Sequence, residues 1–227
     1  EYKADLGKSY APSSANAALA AVNGFLRFCG FGDCYVKPFK VQRKIYCPEE
    51  KELTRAEYVR LVKAAKEKSS ERLALLLETI CATGVRVSEL PFITAEAVEQ
   101  GEATVKCKGK TRTIFLPAAL CKKLRRYIQR QGIQTGPVFI TRTGKPMNRS
   151  NIWREMKALC ERAGVSPSKV FPHSLRHLFA RCFYAIDHDV AKLADILGHS
   201  NINTTRIYIV TSGAEHRRKL ETMRLVI

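Results

Sequence analysis

Hydrophobic residues recur at helical spacing along most of this 227-residue chain, and one stretch switches clearly to the period of a strand pair. Thr104-Val-Lys-Cys107 and Thr113-Ile-Phe-Leu116 read instead as strands, and they flank Lys108-Gly109-Lys110. This is the pattern of a β-hairpin closed by a short turn. A single hairpin among many amphipathic helices predicts an α+β fold, mostly α-helical, with one small antiparallel sheet.

The helices carry their own punctuation. Residues 12–29 open on Ser13 and Ser14 as caps, place Ala18, Val22, Phe25 and Phe28 at helical spacing, and stop at Gly30 and Gly32. Residues 33–51 hold Pro38, Pro48 and several basic residues without period, and are expected to form a linker. A second unit opens at Leu53, where Thr54 and Glu57 form a capping box and Leu53 and Tyr58 a hydrophobic staple. The periodicity then predicts helices to about Lys68, over 71–82 with Gly84 as the stop, and a short one from Arg86. Pro117 opens another, which turns Leu120, Leu124, Tyr127 and Ile128 inward and ends at Gly132. Residues 138–140 are expected to form a short strand, and 150–163, 174–186 and 189–197 three more helices. Asn203 or Thr204 is expected to cap a short helix carrying Tyr208, followed by a final helix over about 213–225.

Charge narrows the function. Lys and Arg total 39 against 21 Asp and Glu, a formal charge of +18. Such an excess calls for a polyanionic partner: DNA, RNA or an anionic membrane surface. Residues 101–130 hold nine Lys/Arg and one acidic residue, Glu102, spread over both the hairpin tip and the following helix, which favours a binding surface over a solvated helix face. The hairpin's only aromatic residue is Phe115, too few for the stacking platform of an RNA-binding sheet. No apolar run is long enough to span a bilayer, and no signal peptide is visible. The eight cysteines include no CxxC pair, which suits a reducing compartment. Cys29 and Cys34 lack the second ligand pair that a zinc site requires.

Four separated segments place polar groups beside a turn or a helix start: Ala82-Thr-Gly-Val-Arg86-Val-Ser-Glu89-Leu, Cys107-Lys108-Gly109, His173-Ser-Leu-Arg176-His177, and Leu197-Gly-His199-Ser. Tyr208 follows His199 by nine residues. A cation at a helix N-terminus opposes the dipole, so Arg86 makes sense there if an anion sits against it. Glu89, three residues on, can orient it. His173 and Arg176 share a helix face. Two guanidiniums, imidazoles, a lysine and a phenol are what metal-free phosphoryl transfer to a tyrosine requires.

In order and spacing these segments resemble the tyrosine recombinases, the phage-integrase family of DNA strand-exchange enzymes, and among them the integrases of mobile elements. The likeness runs from about Leu53 to Tyr208 and includes the 23-residue interval from Arg176 to His199. It implies a site-specific recombinase that cleaves and rejoins double-stranded DNA through a covalent 3′-phosphotyrosyl intermediate, without metal, ATP or other cofactor. By the same resemblance Tyr208 is the nucleophile, Arg86 and Arg176 clamp the phosphate, and His173 handles the nucleophile's proton. His199 is a hydrogen-bonding stabiliser, Lys108 protonates the leaving 5′ oxygen, and Glu89 supports Arg86. The hairpin is one residue shorter before Arg112 than the usual pattern, so Lys110 remains a rival to Lys108. The resemblance further implies that residues 1–46 are the closing portion of a shortened helical core-binding domain with its linker, and that 47–227 form the catalytic domain. Residues 213–227 become a helix that docks either on a neighbouring subunit or on the chain's own core. The expected partners are a dimer or tetramer of the chain on paired DNA sites and accessory DNA-bending or excision proteins, with no membrane, in a prokaryotic cytoplasm.

Overall fold

The computed structural model describes residues 1–41, 52–68, 70–107, 110–209 and 221–223. The chain divides into two compact units, Glu1–Ile45 and Tyr46–Ile227.

In the first unit α1 (Tyr2–Ser9) and α2 (Pro12–Phe28) enclose a small core of Leu6, Ala15 and Leu19. The start of α2 differs from expectation. Pro12, with its preset φ and missing N–H, occupies the first helical turn after Ala11, and neither Ser13 nor Ser14 is the cap. The inward face differs too: Phe28 is 89% exposed and Phe25 is also exposed, because the buried stripe runs through Ala15 and Leu19. Part of the expected linker is docked. Asn16 donates to the carbonyl of Phe39 (2.9 Å) and accepts from its N–H (2.7 Å), and Asn23 brackets Val36 in the same way. Two amide side chains thus do for this extended segment what a neighbouring strand would do. Gly32–Cys34 forms a single 3-10 turn, and Cys29 and Cys34 are exposed free thiols.

The second unit is built around α4 (Glu71–Thr83), whose run of Leu73 to Leu77 is buried on nearly all sides. Packed against it are α3 (Arg55–Glu67), α6 (Ala118–Gln131), α7 (Arg149–Lys157) and α9 (Pro172–Asp187). Leu61, Leu76, Leu77, Ile80, Leu124, Ile152, Met156 and Leu175 fill the centre, each at most 1% exposed. The capping box forms as expected. Thr54 Oγ1 accepts from the N–H of Glu57 (3.1 Å), and Glu57 accepts from that of Thr54 (2.8 Å). Thr79 and Thr83 are buried polar groups, and each donates to the carbonyl one turn back (2.8 and 2.7 Å).

The sheet is a two-stranded antiparallel hairpin, β1 (Glu102–Cys107) with β2 (Lys110–Phe115), entered from the short helix α5 (Ala95–Gln100). Its strands are longer than the sequence suggested, for Lys110 pairs with Cys107 inside the ladder. The turn residues Lys108 and Gly109 lie outside the described residues. The strand expected at 138–140 is replaced by two isolated bridges, Thr94 with Pro137 and Ile140 with Pro146, because prolines flank it on both sides. The expected helix over 150–163 is two pieces, α7 and α8 (Cys160–Ala163), with a break at Ala158 and Leu159. Next come α10 (Val190–Leu197) and α11 (Ile202–Arg206). Asn201, rather than Asn203 or Thr204, caps α11, and Tyr208 follows in the 3-10 turn Ile207–Ile209. The expected terminal helix lies outside the described residues except for 221–223, which are helical. No helix among the described residues is long and apolar enough to cross a membrane.

Candidate active site

Three helix ends meet at one place. α4 ends at Thr83 and α10 at Leu197, each stopped by a left-handed glycine, Gly84 (φ 65°) and Gly198 (φ 64°). A side chain at Gly84 would place its Cβ 2.5 Å from Cδ1 of Phe179. Glycine is therefore required at Gly84 by both conformation and space. The start of α9 enters between these ends, with Pro172 in its first turn.

Arg176, from the second turn of α9, is 1% exposed. Its guanidinium donates to the carbonyls of Gly84 and Leu197 and to Nε2 of His199, the last two at 2.7 and 2.9 Å. Its Nε is buried and without a hydrogen-bond partner. Burial, and then the charge of Arg86, bring its pKa down to about 10, so it stays protonated at neutral pH.

Arg86 stands at the entry to the 3-10 turn Val87–Phe92. Its N–H donates to Oε2 of Glu89 (2.8 Å), its Nη1 to Oε1 (2.9 Å) and its Nη2 to the carbonyl of Gly198 (3.3 Å). The i, i+3 pairing read from the sequence is thus formed. Glu89 is 4% exposed. Burial alone would raise its pKa, but hydrogen bonds from Arg112 and Arg86 outweigh burial and hold the carboxyl below its usual value.

Tyr208 is 5% exposed and sits among three imidazoles. His199 stacks on it with ring planes 14° apart and centroids 5.5 Å apart, while His177 lies at 4.3 Å. The Tyr208 hydroxyl is 3.4 Å from Nε2 of His173. A guanidinium can only donate, so Nε2 of His199 accepts from Arg176. The His199 proton is then on Nδ1, 2.7 Å from Oγ1 of the buried Thr205. The pKa values agree with a neutral ring. Burial, and then Arg176 and Arg86, lower His199 to about 4. Burial and then His173 lower His177 to about 4 as well. Burial and nearby arginines also lower His173.

An open groove of about 870 Å³ runs past this cluster. Arg86, His173 and Arg176 line one wall, and Arg149, Trp153 and Lys157 of α7 another. Tyr208 is not among its lining residues, but its hydroxyl is 3.4 Å from Nε2 of His173, which is. Among the described residues no group of three or more His, Cys, Asp or Glu is gathered to hold a metal ion.

Six of the seven residues singled out in the sequence can therefore be placed. Arg86, Glu89, His173, Arg176, His199 and Tyr208 converge on one site. Lys108 lies outside the described residues, and its rival Lys110 opens β2. Sequence reasoning missed His177, Arg112 and Thr205. His177 carried a usable signal, since it lies one turn beyond His173 on the same helix. Arg112 reaches the site through long-range contacts that no local pattern encodes, whereas Thr205 lies only six residues beyond the His199 it bonds.

Residues 51–214 match the model of the phage integrase family. The chain is 30% identical over 222 residues to the tyrosine recombinase XerA of Thermococcus kodakarensis, covering 93% of this chain and 75% of that protein. It is 29% identical to the XerA of Pyrococcus furiosus, covering 96% and 77%. Against a crystal structure of XerA recombinase the TM-score is 0.67 at 25% identity, over 98% of this chain and 79% of that one. The Tn1549 transposon integrase in complex with transposon right-end DNA shares the fold, with a TM-score of 0.71 at 19% identity over 99% and 83%. With the motifs in order, the fold matched along nearly its whole length and the family pattern spanning the site, the chain belongs to the phage integrase family, the tyrosine recombinases.

Proposed function

We propose that this protein is a site-specific DNA recombinase that cleaves and rejoins strands through a phosphotyrosyl ester at Tyr208. The observation that carries this reading is the seat of the Tyr208 hydroxyl, 3.4 Å from His173 Nε2 in a cluster that also holds Arg176 and His199. In the forward step Tyr208 Oη attacks the scissile phosphorus as the bond to the 5′ oxygen breaks. The phenol proton passes to Nε2 of His173, whose pKa burial and the nearby arginines lower, which favours the neutral ring that accepts a proton. Arg86 and Arg176 bind the non-bridging oxygens, where charge grows in the transition state. His199 hydrogen-bonds from the side, Glu89 holds Arg86, and Lys108 gives a proton to the leaving oxygen. The phosphodiester is conserved as an ester, so rejoining requires neither ATP nor a metal.

Double-stranded DNA is the substrate that the +18 charge and the groove favour. The two compact units support a division of labour between a core-binding portion (1–46) and a catalytic domain (47–227), with 213–227 as a subunit-docking helix. The lambda integrase structure similar to this chain is a dimer bound to a core site. Assembly of this chain into a dimer or tetramer on paired sites is proposed by analogy, as are accessory DNA-bending or excision proteins.

A nicked substrate whose 5′ fragment diffuses away traps the adduct. Wild-type protein is expected to give a slowly migrating covalent protein–DNA band, and Tyr208→Phe to bind DNA without giving one. An adduct retained in Tyr208→Phe, or none with the wild type on its own element's ends, would overturn the reading.

A further inference from the structure

Arg112 belongs to β2, outside every motif so far given a role, yet all its guanidinium nitrogens are hydrogen-bonded beside the site. Its Nε and Nη2 reach Oε1 and Oε2 of Glu89, and its Nη1 donates to the carbonyl of Ile196 at the end of α10. Each oxygen of Glu89 is shared. Oε1 takes Arg86 Nη1 and Arg112 Nε, while Oε2 takes the Arg86 N–H and Arg112 Nη2. One buried carboxylate thus stands between two guanidiniums, and both of these also grip the α10 terminus, Arg86 at Gly198 and Arg112 at Ile196. The Arg112 stem crosses directly over Gly198, where a Cβ would lie 2.5 Å from Arg112 Cδ. Arg112 itself is not among the residues that line the groove.

We infer that Arg112 is a positioning residue for strand cleavage: by sharing Glu89 it keeps the Arg86 guanidinium from closing fully onto that carboxylate, leaving it presented to the phosphate. The inference rests on the proposed role of Arg86 as a phosphate clamp. Without Arg112, Glu89 keeps a single cationic partner. A buried, half-paired carboxylate either draws Arg86 into a two-pronged pair of its own or takes up a proton. Both outcomes remove Arg86 from the geometry in which its N–H groups meet the non-bridging oxygens.

The test is a double-mutant cycle in single-turnover cleavage of the nicked substrate, combining Arg112→Met with Glu89→Gln. Arg112→Met is expected to bind DNA like the wild type and to cleave on the order of 100-fold more slowly, the scale of a misplaced catalytic group. In the Glu89→Gln background the same substitution should cost little more, because the two side chains act through one contact. The acid limb of the cleavage profile should move to higher pH in Arg112→Met and not in the double variant, since a Glu89 with fewer donors protonates earlier. Independent losses in the cycle, or an unmoved acid limb, would reduce Arg112 to a structural ion pair and overturn the inference. Arg112→Lys, which keeps a charge but not the fork, covers the case in which the Met variant does not fold. It should shift the profile in the same direction by less. Titration of the Glu89 carboxyl carbon by NMR reads the coupling without any cleavage. An unchanged Glu89 midpoint in Arg112→Met defeats the inference even if cleavage is lost, whereas a midpoint raised in Arg112→Met, together with a wild-type protein that forms no adduct, would count against the clamp reading alone.

Discussion

Two glycines with nearly the same backbone isolate what close packing contributes at the site. Gly84 and Gly132 both end helices in the left-handed region, at φ 65° and 63°. At Gly132 an added Cβ meets nothing within 4 Å, whereas at Gly84 it lies 2.5 and 2.7 Å from two carbons of the Phe179 ring and 3.0 Å from Leu197 Cδ2. Gly132→Ala therefore carries only the left-handed penalty, about 1–2 kcal/mol. Gly84→Ala carries the same penalty plus overpacking of about 1–3 kcal/mol, for a total of about 2–5 kcal/mol against a typical stability of about 5–15 kcal/mol. Phe179 is on α9, one turn from Arg176, so relief of the clash displaces the helix that carries the site. Urea denaturation at constant m-value gives the two losses, and single-turnover cleavage gives the effect on the site. Gly84→Ala should lose more stability than Gly132→Ala and also lose cleavage, while Gly132→Ala cleaves normally. Equal losses of stability, with cleavage intact in both variants, would refute the reasoning.

The other predictions concern charge and protons. Arg86→Lys should bind DNA but cleave very poorly, because an ammonium cannot reproduce two parallel N–H contacts; adduct yield at saturating protein measures it. Lys108→Ala should slow cleavage of ordinary DNA and be partly rescued by a 5′-bridging thiolate, which leaves without a proton. No difference between the two substrates would redirect the general-acid role to Lys110. His177 and His199 both sit at about 4 in the folded protein against 6.5 for the free side chain. The unfolded chain therefore binds more protons between those values, and stability is complete above pH 6.5 and lost as the pH falls toward 4. His177→Phe should flatten that dependence in thermal melts recorded across the range.

Much of this architecture can be read from the chain because its signals are local. The capping box at Thr54 and Glu57, the glycine stops at Gly84, Gly132 and Gly198, and the i, i+3 pair Arg86 and Glu89 each depend on residues within a single turn. What the sequence hides depends on long-range packing. The helical period of α2 offers two candidate stripes, and the packing of Leu6 of α1 together with Val36 and Phe39 selects Ala15 and Leu19 over Phe25 and Phe28. The break between α7 and α8 has no proline or glycine to announce it. Arg112 looks like one more basic residue on a hairpin until β2 is laid across the end of α10. Tyr208 is a buried aromatic residue packed in the core, yet its hydroxyl also lies 3.4 Å from His173 Nε2.

The anchors of the two phosphate-facing arginines have a further consequence. Apart from Glu89 and His199, they are peptide oxygens: Gly84 and Leu197 for Arg176, and Gly198 for Arg86. A peptide oxygen is supplied by any residue type, so the side chain at position 197 can vary without removing an acceptor. The aim of these arginines is thus written in where α4 and α10 stop, and a shift in either endpoint would disarm the site while leaving every one of its named side chains in place.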